Sequence, residues 1–143
     1  MRAVPSGFFT AASPVRATGA GGAIHNAFSA PLQVTGSLFQ ANTALDGGGL
    51  FNDSGAAVTL NAVTFQSNTA GYGGGVENSG TITIANSLID GNTVTGSGGG
   101  LWNLGGQVSL QQTTVSNNTA YEGGGVNSYG SQLELIDVNI TGN

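Results

Sequence analysis

The chain has 143 residues, enough for one domain, yet it carries 26 glycines and only 6 % charged residues, with a net charge of −5. It has no lysine, and its two arginines, Arg2 and Arg16, precede the patterned part of the chain. It therefore cannot neutralise a phosphate backbone or hold an anionic lipid surface, which excludes nucleic-acid binding and a polybasic membrane patch. The absence of cysteine removes disulfides and thiolate metal sites.

Residues 1–18 are punctuated by Pro5, Gly7 and Pro14 and show no period, so they read as an irregular segment or an N-terminal cap. They lack the continuous apolar stretch of a signal peptide, and no run approaches the roughly 18 apolar residues of a spanning helix. The expectation is a chain that is either not exported or part of a longer protein.

From residue 19 to 143 one unit recurs. Gly47-Gly48-Gly49-Leu50-Phe51-Asn52 returns as Gly73-Gly74-Gly75-Val76-Glu77-Asn78, as Gly98-Gly99-Gly100-Leu101-Trp102-Asn103 and as Gly123-Gly124-Gly125-Val126-Asn127-Ser128, after a leading copy Gly21-Gly22-Ala23-Ile24-His25-Asn26. The steps are 26, 26, 25 and 25 residues, and a step this regular marks a solenoid or array. After each glycine run comes an apolar–polar–apolar triplet: Leu32-Gln33-Val34, Val58-Thr59-Leu60, Ile82-Thr83-Ile84, Val108-Ser109-Leu110 and Leu133-Glu134-Leu135. This is the period-2 signature of a strand with one buried face. A second such stretch runs through Phe39, Phe65, Ile89, Val115 and Ile140, and the residue after each glycine run starts a third. No segment has helical spacing. The pattern predicts an all-β fold, a right-handed single-stranded parallel β-helix of about five coils with three short strands per coil, the coils about 4.8 Å apart. Two asparagine columns, Asn26, Asn52, Asn78, Asn103 with Ser128 closing it, and Asn42, Asn68, Asn92, Asn118, Asn143, should bond from coil to coil.

Gly21-Gly22-Ala23-Ile24 is a GGAI motif, and Phe39-Gln40-Ala41-Asn42 and Phe65-Gln66-Ser67-Asn68 are FxxN motifs. These alternating motifs resemble the polymorphic outer membrane protein repeats of bacterial surface proteins. The longer unit is similar to repeats of secreted bacterial right-handed parallel β-helix proteins with pectin-lyase-like architecture. The resemblance covers Gly21 to Asn143. Later copies relax the motif, as in Ile89-Asp90-Gly91-Asn92, but keep the inward apolar residue and the asparagine. It implies a secreted or surface-displayed bacterial module, structural or adhesin-like. It also implies an alternative: a fragment of a polysaccharide-active enzyme of the same fold.

The acids Asp46, Asp53, Glu77, Asp90, Glu122, Glu134 and Asp137 never occupy equivalent positions in adjacent coils, so no carboxylate pair for glycoside hydrolysis is expected, and all read as solvated surface acids. The repeats hold no Lys or Arg to serve a lyase. An apolar residue follows Gly-Gly-Gly where the calcium nonapeptide places x-Asp, and no helix or Lys-Ser/Thr follows for a phosphate. His25, the only histidine, has no Cys or acid at ligand spacing and reads as a surface residue. The threonine ranks are broken by Gln33, Ser109 and Glu134, which argues against an ice-binding face. The expectation is a non-enzyme with no catalytic residue, no cofactor and no metal.

Exposed aromatics are the one positive hint. Phe51 and Trp102 lie in the outward column with His25, Glu77 and Asn127, while Tyr72 and Tyr121 lie just before glycine runs. All four, the candidate ligand contacts, should gather near one edge at spacings of about 10 Å. The expected partner is a surface glycan or a protein. Open strand edges at both ends leave end-to-end self-association as a further mode.

Overall fold

The computed structural model describes residues 10–11, 16–27, 29 and 31–143. Every described strand is short, as glycine-punctuated alternation requires. After β1 (Thr10–Ala11), the first coil contains β2 (Ile24–Asn26), β3 (Pro31–Thr35) and β4 (Leu38–Gln40). The second contains β5 (Leu50–Asn52), β6 (Ala57–Asn61), β7 (Thr64–Gln66) and β8 (Thr69–Ala70); the third β9 (Val76–Asn78), β10 (Thr81–Ala85), β11 (Leu88–Asp90) and β12 (Thr93–Val94). The fourth has β13 (Leu101–Leu104), β14 (Gln107–Gln111) and β15 (Thr114–Ser116), and the fifth β16 (Val126–Tyr129), β17 (Gln132–Ile136) and β18 (Asn139–Thr141). There is no helix among the described residues.

Equivalent strands of successive coils pair in parallel. Three sheets result, ordered β2-β5-β9-β13-β16, β3-β6-β10-β14-β17 and β1-β4-β7-β11-β15-β18, with β8 and β12 forming a two-stranded fourth. The register is that of the repeat: Val34 faces Leu60, Leu60 faces Ile84, and Ile84 faces Leu110. The protein is thus a parallel β-solenoid of about five coils with three main strands in each. Residues 1–18, expected to be irregular, lie mostly outside the described residues. Those described already follow the coil, because Thr10 and Ala11 pair with Leu38 and Phe39, and Arg16 bridges Thr43.

The core is the set of inward ladders. Leu50, Leu60, Phe65, Val76, Ile84, Ile89, Leu101, Leu110 and Val115 have no exposed surface. Phe39 and Phe65 stack with ring centroids 4.7 Å apart. Each fully buried Leu, Ile or Phe contributes about 1.5–3 kcal/mol, and stacking alone provides that burial, since a single coil has no interior. In the fifth coil, at the edge of the three main sheets, Leu133, Leu135 and Ile140 of the same ladders are exposed.

Each residue of a glycine run has its own reason to lack a side chain. Gly47 has φ +60, and a Cβ there would sit 2.5 Å from the Leu50 carbonyl oxygen. At Gly48 a Cβ would meet the carbonyl oxygen of Gly74 in the next coil at 2.4 Å. The first glycine makes the turn, and the next lets neighbouring coils touch backbone to backbone.

Both asparagine columns are continuous hydrogen-bonded ladders. Asn68, fully buried, donates from Nδ2 to Asn92 Oδ1 at 2.9 Å and to the Phe39 carbonyl at 2.9 Å. Its Oδ1 accepts from the Asn42 backbone N–H at 3.0 Å and from Asn42 Nδ2 at 2.9 Å. One side chain therefore ties three coils together with both donors and both lone pairs occupied. The other column repeats the amide-to-amide bond: Asn26 to Asn52 at 3.0 Å, Asn52 to Asn78 at 2.8 Å, Asn78 to Asn103 at 2.9 Å.

Two predictions follow from these corners. Asn92 accepts from the Asn68 backbone and side chain and donates to Phe65 O and Asn118 Oδ1. Asn92→Ala strands several buried groups, and urea denaturation should show a loss of about 2–4 kcal/mol. Asn92→Asp, equal in shape but unable to donate, should fare no better. At the second corner, Ala62 is exposed with φ 52 at a position that is Gly36 in the preceding coil. Ala62→Gly should raise stability by roughly 0.5–1 kcal/mol, since the relief of left-handed strain exceeds the entropy glycine loses on folding.

Candidate functional site

The glycine-run sheet is the face with chemistry. Its strands are three or four residues long. In the two four-residue strands the exposed Leu104 and Tyr129 lie at the end, and from every strand of this sheet the middle residue of the LFN-type triplet points outward. Register stacks these into a row: His25, Phe51, Glu77, Trp102, Asn127. The turn before each strand brings a second row alongside, Ala20, Asp46 and Tyr72, then Ser97 and Glu122.

Two of the four predicted aromatics meet. The Tyr72 and Trp102 rings stack with centroids 4.4 Å apart and planes 26° from parallel, closer than the spacing of about 10 Å expected from coil counting. Tyr72 belongs to the third coil and Trp102 to the fourth. The tyrosine reaches across because Gly96 lies under it: a Cβ on Gly96 would be 2.5 Å from the ring. Tyr72 remains 41 % exposed, and Trp102 is half-buried, so the pair forms a platform open to solvent. Phe51 sits apart from this stack and packs edge-on against His25, centroids 5.1 Å apart. Tyr121 is not gathered in. Glu122, not Tyr121, occupies the column of Tyr72, and Tyr121 stands free at 85 % exposure.

Two readings of polar residues change in three dimensions. His25 does have an acidic partner: its Nε2 lies 2.9 Å from Asp53 Oδ2 in the next coil. The pair is 28 residues apart, close to one repeat, so the period could have revealed it. Glu77, expected to be a solvated surface acid, is only 4 % exposed. Alternation correctly sends its side chain to the outer face, but Phe51 and Trp102 flank it in the ladder and the glycine turn lies against its base, where a Cβ on Gly73 would meet Glu77 Cβ at 2.8 Å. Its Oε2 has no hydrogen-bond partner. Burial above all, and then the Asp46 carboxylate of the preceding coil, push the acid up to about 8, against the lowering effect of the Gly47 backbone N–H. At neutral pH Glu77 is mostly protonated. Asp90, on another sheet, moves the opposite way: Asn117 and Ser116 each donate to its Oδ1 at 2.8 Å and hold it below the usual carboxylate range.

A second surface feature lies elsewhere. An open groove of about 500 Å³ runs over β10, β14 and β17, lined on its outer side by Thr81, Thr83, Gln107, Ser109, Gln132 and Glu134. Ser109 donates to Glu134 Oε2 at 3.0 Å, and Gln111 donates to Ser109 Oγ at 3.1 Å, so part of this lining is already engaged with itself. Among the described residues, no group of three or more His, Cys, Asp or Glu is placed to hold a metal ion, and no helix is long and apolar enough to cross a membrane. The chain matches no protein-family model, no curated protein and no solved structure.

The raised Glu77 carboxyl predicts how stability varies with pH. The folded protein holds this proton more tightly than the unfolded chain, whose ordinary value is 4.5. The contribution is therefore fully present below about pH 4.5 and is lost as pH rises through about 8. Unfolding free energies from denaturant titrations should fall across that window by up to about 1.4 kcal/mol per pH unit from this one group. Glu77→Gln should flatten the fall.

Proposed function

We propose that the protein is a non-catalytic β-solenoid module, structural and adhesin-like, that presents a passive binding face to a glycan. The observation that carries this reading is the solvent-open Tyr72–Trp102 stack on a stiff sheet. A sugar ring offers C–H groups to an aromatic face, and a rigid aromatic pair loses little conformational entropy on contact. The rod is held by backbone ladders on three sides, so the platform is preorganised. Display outside a bacterial cell, as the motif resemblance implies, belongs to the same proposal.

The acids support a passive role rather than hydrolysis. Glu77 has the kind of raised value a general acid needs, yet its carboxyl is buried and its Oε2 has no accessible surface to offer a glycosidic oxygen. The remaining candidate contacts differ in weight: Phe51 is engaged with His25, whereas Tyr121 is exposed but unsupported.

A glycan array probed with the intact chain tests this. Bound glycans should be lost with Trp102→Ala, with affinity falling at least about tenfold, the scale of a contact hot spot. Tyr72→Ala should weaken binding comparably, while Tyr121→Ala should have little effect. Absence of binding to every glycan, or binding that survives both substitutions, would overturn the reading. Binding to a protein surface instead, with the same loss at Trp102, would keep the face and replace the ligand.

A further inference from the structure

Glu77 is the only buried ionisable side chain among the described residues. It leaves the outer face of β9 between Phe51 of β5 and Trp102 of β13, and its Oε2 has neither a partner nor contact with water. The groups that face it offer no counter-ion. From the preceding coil comes Asp46, a like charge. Asp53, two residues past Phe51, is held by His25. From its own coil Tyr72 stands in the neighbouring row, below Asp46. β13 contributes none, and beyond it Glu122 adds another carboxylate to the row of Tyr72. The chain has no lysine, and Arg16 lies in the Thr43 column of a different corner.

An ionised carboxylate in such a place has no stable position. A buried charge with no counter-charge costs far more than rearranging half-exposed side chains, so the covering groups yield first. We propose that Glu77 is a proton-held latch under the aromatic face. With its proton the carboxyl stays between Phe51 and Trp102; when the proton leaves to solvent, the carboxylate turns out to water and the Tyr72–Trp102 stack parts. The consequence for ligand binding rests on the proposed binding face, because alkaline pH then dismantles the platform. The latch itself does not depend on that reading.

Trp102 is the only tryptophan in the chain, so its emission reports on the latch without a label. Emission and acrylamide quenching of Trp102 are followed between about pH 5 and about pH 9, below the ordinary tyrosine range, with far-UV circular dichroism recorded in parallel. The expected result is a red shift and stronger quenching with a midpoint near pH 8, at unchanged circular dichroism. Glu77→Gln should show neither change. Asp46→Asn, which removes the like charge and leaves the acid in place, should move the midpoint to lower pH. A flat wild-type titration, a transition unchanged in both variants, or loss of circular dichroism together with the emission change would overturn the latch. A Trp102 transition in a protein that binds no glycan sustains the latch and removes the binding face. Glycan binding with a flat titration does the reverse.

Discussion

The interaction on which the rest of the structure depends is the bond from one asparagine amide to the amide of the next coil. Asn42, Asn68, Asn92, Asn118 and Asn143 each stand directly over their equivalents, and each bond needs the neighbour to present the same group at the same height. A coil displaced by one residue would lose its amide bonds to the coils above and below, and each buried amide left unpaired costs about 1–3 kcal/mol. The ladder therefore fixes register, and register turns a period in sequence into columns in space. The apolar ladders oppose the same slip, because a one-residue shift turns the inward row outward; a two-residue shift keeps each residue on its face, and against that shift the asparagine ladder adds the discrimination.

The glycine runs cooperate with this constraint. Gly48 approaches the carbonyl oxygen of Gly74 so closely that any side chain would separate the coils at that corner. Close stacking there keeps the asparagines at bonding distance a few residues away. It also strips the edge of side chains, so what projects from the adjoining sheet stands on a bare backbone. Tyr72 lies over Gly96, another position with no side chain, and its ring stacks on Trp102. The same bareness lets Glu77 settle against its own turn, where water does not follow.

Inside and outside thus obey different rules. Inward columns repeat the same chemistry, because each member must fit the members above and below. The outward row His25, Phe51, Glu77, Trp102, Asn127 repeats nothing, since neither the ladders nor the core restricts it. Variation on an otherwise repetitive frame places specific chemistry on one face, and both the proposed platform and the proposed latch lie on that face.

The coil length, the inward and outward assignment of nearly every strand residue and both asparagine ladders were legible in the residues alone, because period and alternation are properties of neighbours in sequence. The left-handed corners at Ala62 and Gln112 were not, since neither residue advertises a positive φ. Nor was the grouping of the aromatics. Tyr72 and Trp102 touch, while Phe51 turns to His25 and Tyr121 stands alone, according to how each side chain leans between coils. The burial of Glu77 and its raised proton affinity lie furthest from the pattern: alternation assigns the residue to the outer face, but its exposure depends on the bulk of Phe51 and Trp102, one coil away on either side. Column membership follows from counting residues. Solvation follows from the volumes of side chains about 25 residues away, which become neighbours only when the coils are stacked.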